Sequence, residues 1–274
     1  MSVVTSPRPP ASAPEAPRTG TSREDEQPAA IRGAPARHRG VRRAARIVLV
    51  CLIAVATAFE INVATDPNVS GAPAVVAAID RAHGTTPVMI GPSDRIAQAL
   101  VASEDDTFYS NNGVDSVALL RAFWGFVTAQ DLGGSTIEMQ LAHMLYPTVT
   151  GGVWGRVRRV SLALEFDTHF TKEAILSMYL SAAYFGHGYF GIRAASLGYF
   201  GVTPSRLNWG QAALLAGIVQ APSALDPFRH LGAAEARMRY VLQRLVSDGR
   251  LTHAQALQLG RSPLELLKTS RVAS

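Results

Sequence analysis

From Ser93 to about Leu242 the apolar side chains recur every three or four positions and almost never alternate, and this spacing narrows the fold more than any other feature. Ile96, Leu100 and Val101 share one helical face, as do Val117, Leu120, Phe123, Trp124 and Val127. Further helices are expected over 160–166, 171–181, 189–199, 208–220 and 232–248. Thr171 ahead of Lys172-Glu173, and Thr203-Pro204-Ser205, have the residues of helix N-caps. The pattern predicts an all-α domain without internal repeats, with loops near 146–154 and 221–230.

The stretch ahead of this domain has a different character. Over 1–44 the chain is largely Pro, Ala, Ser, Arg and Glu, with almost no large apolar side chain to offset the entropy of ordering, so it is expected to be a disordered tail. Arg32, Arg37, Arg39, Arg42, Arg43 and Arg46 then precede an uncharged run, Ile47 to Phe59. A spanning helix needs roughly 20 apolar residues, a length reached only by taking 45–64 together. The segment reads as a transmembrane or signal-anchor helix, and the long tail ahead of it favours retention over cleavage. The arginine flank places the tail in the cytoplasm and the chain after about residue 64 outside. The expected location is therefore the cell membrane, single-pass, with an extracytoplasmic domain.

Asp66-Pro67, Gly71-Ala72-Pro73 and Gly91-Pro92 punctuate 65–92, which reads as a linker with at most one short helix near 74–82. The folded domain is expected over 93–265 and a tail over 266–274. The net charge of +5 comes almost entirely from arginine, since Lys172 and Lys268 are the only lysines. Much of that charge precedes the apolar run, and the domain has no basic stripe interleaved with stacking aromatics, so nucleic acid is not an expected partner. Cys51, the single cysteine, lies in the apolar run and leaves no disulfide framework or cysteine metal site.

Two stretches carry chemistry. Ser103-Glu-Asp-Asp-Thr-Phe108 puts acids at an expected helix start, where they either complement the helix dipole or supply a proton acceptor, Glu104, with Phe108 and Tyr109 as walls. Gly133-Gly-Ser-Thr-Ile137 is a glycine turn leading into a helix; Ser135, Thr136 and Gln140 either cap that helix or hold an anion. Arg156, Arg158 and Arg159 follow Trp154 and form either a solvated face or a site for phosphates. His143, His169 and His187 lack the spacing of a metal pair, and the apolar stretch 118–127 is either core or a membrane-facing surface.

In order along the chain these blocks resemble glycosyltransferase family 51, the peptidoglycan transglycosylase domain of class A penicillin-binding proteins and monofunctional transglycosylases. Leu100 to Tyr109, closed by Gly113, looks like the first motif, and Gly133 to Leu141 is similar to the second. Lys172 to Leu180 corresponds to the fourth; Tyr184-Phe-Gly-His-Gly-Tyr-Phe-Gly191 and Gln211 to Ser223 are further matching blocks. The resemblance implies a lysozyme-like helical domain acting on lipid II at the membrane. Glu104 would take the proton of an acceptor sugar 4-hydroxyl, which attacks a donor linked to undecaprenyl pyrophosphate with inversion. Asp105, Phe108, Ser135, Thr136, Gln140, Arg156, Arg158, Arg159 and Lys172 would bind substrate. The resemblance also implies as partners the growing glycan strand, transpeptidases and other cell-wall synthesis proteins. It leaves room for a divalent metal such as Mg, although no ligand set is evident in the sequence.

The chain departs from the family pattern at several places. Asn111 stands where the first motif has histidine, Glu138-Met139 replaces Thr-Gln in the second, and His143 replaces a lysine. Arg159 occupies the position of the third-motif glutamate. Glu165 is six residues on, about 600° around a helix and so on another face. Glu138, new to the second motif and close to its glycine turn, is a candidate replacement. The fifth motif is half kept, as Arg237-Met238 before Val241-Leu242. The alternative is a catalytically impaired member that binds lipid II or cell-wall enzymes without polymerising. A lytic enzyme with a lone glutamate fits the acid but not the Gly-Gly-Ser-Thr block.

Overall fold

A computed structural model of the chain describes residues 68–114, 135–147 and 152–267, with parts of 41–57. It comprises two compact units, 1–51 and 52–274. In the first, the described residues 41–43 and 45–50 are helical and exposed. Among the described residues no helix is long and apolar enough to cross a membrane, and much of the expected anchor over 45–64 falls outside them. The apolar stretch 118–127 and Gly133-Gly134 also lie outside the described residues.

In the second unit the described regular structure is helical, apart from one isolated antiparallel bridge between Tyr184 and Phe190. The helices are α1 (Ala72–Ala82), α2 (Arg95–Glu104), α3 (Ile137–Leu145), α4 (Gly152–His169) and α5 (Lys172–Ala182). They continue with α6 (Gly191–Phe200), α7 (Trp209–Ile218), α8 (Leu231–Ser247) and α9 (His253–Arg261). Every residue of α7 from Gly210 to Ile218 is buried, so this helix is enclosed all round and serves as the central post, with α2 and α8 packed against it. Asn208 and Gln211 form a reciprocal capping box at its start, and Thr171 caps α5 by accepting from Ala174 N. Thr203, by contrast, precedes only a short 3-10 turn, Pro204–Arg206, and makes no side-chain cap.

Two expectations differ from the structure. The segment read as a linker over 65–92 contributes Val69, Ala72, Val76 and Ile90 to the core, and α1 packs on α5. Its prolines and glycines delimit a short helix rather than a tether: Pro73 stands in the first turn of α1, where a missing N–H costs nothing. The acid cluster closes a helix instead of opening one. Ile96, Ala97, Leu100 and Val101 are buried in α2, Ser103 Oγ donates back to Leu100 O at 3.2 Å, and Asp105 is the C-terminal cap.

Candidate active site

The end of α2 projects Glu104 toward two donors from distant parts of the chain. Arg237 Nη2 of α8 donates to Glu104 Oε1 at 3.1 Å, and Gln140 Nε2 of α3 donates to Glu104 Oε2 at 3.3 Å. The Glu104 side chain keeps 11% exposure. Gln140 is oriented in turn by the buried Tyr179, whose hydroxyl donates to Gln140 Oε1 at 2.8 Å. Burial, reinforced by Glu104, holds the Tyr179 phenol well above its usual range, so it remains a donor. With its oxygen committed to that phenol, the Gln140 amide can face Glu104 only with its NH2 group. Glu104 is thereby presented as an acceptor. Gly217 is what lets Arg237 reach it, because the Arg237 stem lies where a side chain on α7 would stand, with Cγ 2.8 Å from an added Cβ.

Beneath this pair lies a buried polar layer joining the first and second motifs. Asp105 accepts from Thr107 Oγ1 at 2.9 Å, from Asn111 Nδ2 and from Ile137 N. Thr136 donates to Gly113 O at 2.9 Å and accepts from Met139 N, capping α3. Lys172 Nζ is 2.7 Å from both Glu138 and Asp167, and it donates to Asn111 Oδ1 at 3.0 Å while lying over the Phe108 ring. Burial raises both Asp105 and Glu138 above the ordinary carboxylate range, against the opposing pull of Lys172 and hydrogen-bond donors. Gly113 has φ of +80°, and a side chain there would collide with the Ala163 carbonyl, so this layer sits tight against α4.

Above it opens a cavity of about 740 Å³, whose wall includes Ser135, Gln140, His143, Arg156, Arg159 and Tyr179. His83 also faces it, stacked on Phe190 with ring centroids 3.6 Å apart and planes 9° from parallel. Among the described residues, no group of three or more His, Cys, Asp or Glu side chains is arranged to hold a metal ion.

The residues expected to bind substrate thus separate into two sets. Ser135, Gln140, Arg156 and Arg159 face the cavity, and Glu104 stands one hydrogen bond behind Gln140. Asp105, Thr136 and Lys172 lie in the polar layer, their polar atoms engaged within the protein, and the Phe108 ring is buried beneath the Lys172 ammonium. Arg158 is on α4 between the two cavity arginines but is not part of the wall. Glu138 is wholly buried and paired with Lys172, which removes it as a replacement for the third-motif glutamate.

A family model described as transglycosylase matches residues 74–246. The chain belongs to the transglycosylase family. Among its relatives, penicillin-binding protein 2a of Streptococcus pneumoniae is 38% identical over 173 residues, covering 63% of this chain and 23% of that protein. Penicillin-binding protein 1C of Escherichia coli is 37% identical over 178 residues, covering 64% and 23% respectively. The chain spans about a quarter of the length of these relatives. A solved structure of penicillin-binding protein 1A from Haemophilus influenzae aligns over 66% of this chain and 18% of its own, at 19% identity and a TM-score of 0.40, and adds nothing to the family assignment.

Within this transglycosylase, the position of Arg237 beside Glu104, the role of Tyr179 and the presence of His83 in the wall were not singled out in the sequence. Arg237 had a signal in the half-kept fifth motif and Tyr179 in the fourth-motif block; His83 had none, because neither periodicity nor composition reports which helix faces which.

Proposed function

We propose that this transglycosylase is a peptidoglycan glycosyltransferase that polymerises lipid II, with Glu104 as general base. The observation that carries the reading is the convergence on Glu104: a carboxylate with an open edge, met only by donors, one hydrogen bond from a cavity wall that holds two arginines. In the proposed step Glu104 takes the proton of the acceptor 4-hydroxyl. The oxygen forms its bond to the donor anomeric carbon as the bond to the diphosphate breaks. The electron pair leaves with the lipid pyrophosphate, whose charge Arg156 and Arg159 neutralise. Inversion follows if attack and departure occur on opposite faces.

A second reading is favoured by one observation: the third-motif carboxylate is replaced by Arg159, which fits a protein that binds the lipid without polymerising it. The two separate on Glu104→Gln. A polymerase should lose at least about 10²-fold in glycan formation from lipid II, the usual effect of removing a general base, while affinity for lipid II is kept. A wild-type chain that makes no polymer would leave the binding reading.

A further inference from the structure

The cavity wall has the chemistry of an anion site rather than of a cation site. Arg156 and Arg159 lie about one turn apart on α4 and both line it, while His83 from the end of α1 and His143 from α3 add two imidazoles. Among the described residues of that wall there is no Asp or Glu. A hard divalent cation needs several oxygen ligands, usually including a carboxylate, and two guanidiniums in the same wall repel it. The residues present therefore do not fit a magnesium ion.

Arg159 is half-buried, and desolvation together with the like charge of Arg156 pushes its guanidinium below its ordinary value. No hydrogen bond or ion pair within the described structure offsets that charge. Such a pair is under electrostatic strain that a multiply charged anion would relieve. The planar fork of each guanidinium also matches the spacing of phosphate oxygens.

We infer that this cavity binds a diphosphate directly and without a metal, the Arg159 guanidinium doing in place what a bound cation would otherwise do. The ligand class rests on the proposed function; the metal independence rests on the donor set of the wall. Lys172 does not share this task, since its ammonium is already held by Glu138 and Asp167.

The test is calorimetric titration of the full chain with inorganic pyrophosphate, in chelator and again with excess magnesium. Wild type should bind in chelator, and magnesium should leave the affinity unchanged or weaken it, because it masks the charge the arginines recognise. Arg159→Glu should lose tenfold or more in chelator and regain affinity when magnesium is added. Arg156→Gln and Arg159→Gln, gentler changes checked for an unaltered melting temperature, should each lose about tenfold under both conditions. Binding by wild type only in the presence of magnesium, or an affinity indifferent to Arg159→Gln, would overturn the inference. A chain that binds pyrophosphate without metal but makes no glycan from lipid II would sink the polymerase and leave this inference standing. A chain that polymerises but needs magnesium to bind pyrophosphate would do the reverse.

Discussion

Glu104 Oε1 and Arg237 Nη2 meet at 3.1 Å although they are 133 positions apart in the chain. Both side chains are mostly shielded, at 11% and 18% exposure, so water screens the contact only partly. Arg237→Met should lower glycan synthesis, and a double-mutant cycle with Glu104→Gln should give a coupling of about 0.5–3 kcal/mol in urea denaturation. Strict additivity would mean that the pair is incidental to stability.

The hydrogen-bond route from Tyr179 to Glu104 runs through Gln140. Tyr179→Phe removes one buried hydrogen bond and should cost about 0.5–1.5 kcal/mol in thermal or urea unfolding. Because the freed amide can then turn its oxygen toward Glu104, kcat should fall while KM for lipid II stays close to wild type. In a Gln140→Leu background the same change should have little further effect on kcat.

Removing the ammonium of Lys172 leaves Glu138 without its counter-charge in a fully buried position. Lys172→Met should therefore destabilise the fold by about 3–5 kcal/mol, read from urea midpoints. The paired change Lys172→Met with Glu138→Leu should recover much of that loss, an outcome not expected if Lys172 served only to bind substrate.

Burial lifts the Asp105 and Glu138 carboxyls above their ordinary values of 3.8 and 4.5. In the window just above those values the folded chain binds more protons than the unfolded chain. These groups consequently favour folding most at the acid end and lose that contribution as pH rises through the folded values. Glu138→Gln should flatten the decline in urea midpoint as pH rises above the ordinary value of 4.5.

Gly113 combines a left-handed backbone with contact against the Ala163 carbonyl. Gly113→Ala should destabilise by more than about 1 kcal/mol in the same assay, since both the backbone and the contact resist a side chain. Gly84, with φ of +64° and open space around it, is the control: Gly84→Ala meets only the backbone cost.

Helices α1 to α8, and Glu104, Ser135, Gln140, Arg156 and Arg159 as candidates, could be named from the sequence, because periodicity and short-range motif spacing are local properties; α9 was not expected, and the helix expected around 117–127 lies outside the described residues. The same locality explains the readings that differed. Ser103 followed by acids has the residues of a helix start, yet the helix that buries Ile96, Leu100 and Val101 ends there, with Asp105 as its cap. Pro and Gly around α1 look like a linker until Val76 and Ile90 are seen to enter the core.

Sequence alone determined that the chain is helical, which family pattern it follows and which residue types are at hand for the chemistry. Only the tertiary structure decided their roles. It turned Lys172 toward Glu138, Thr136 toward Gly113 and Asp105 toward Asn111, brought Arg237 across to Glu104, and left Arg156 and Arg159 facing the cavity. The reason is that a side chain's part in binding depends on whether its charge and hydrogen bonds are already satisfied, and several of the satisfying groups here, Glu138 for Lys172 and Arg237 for Glu104 among them, come from distant parts of the chain.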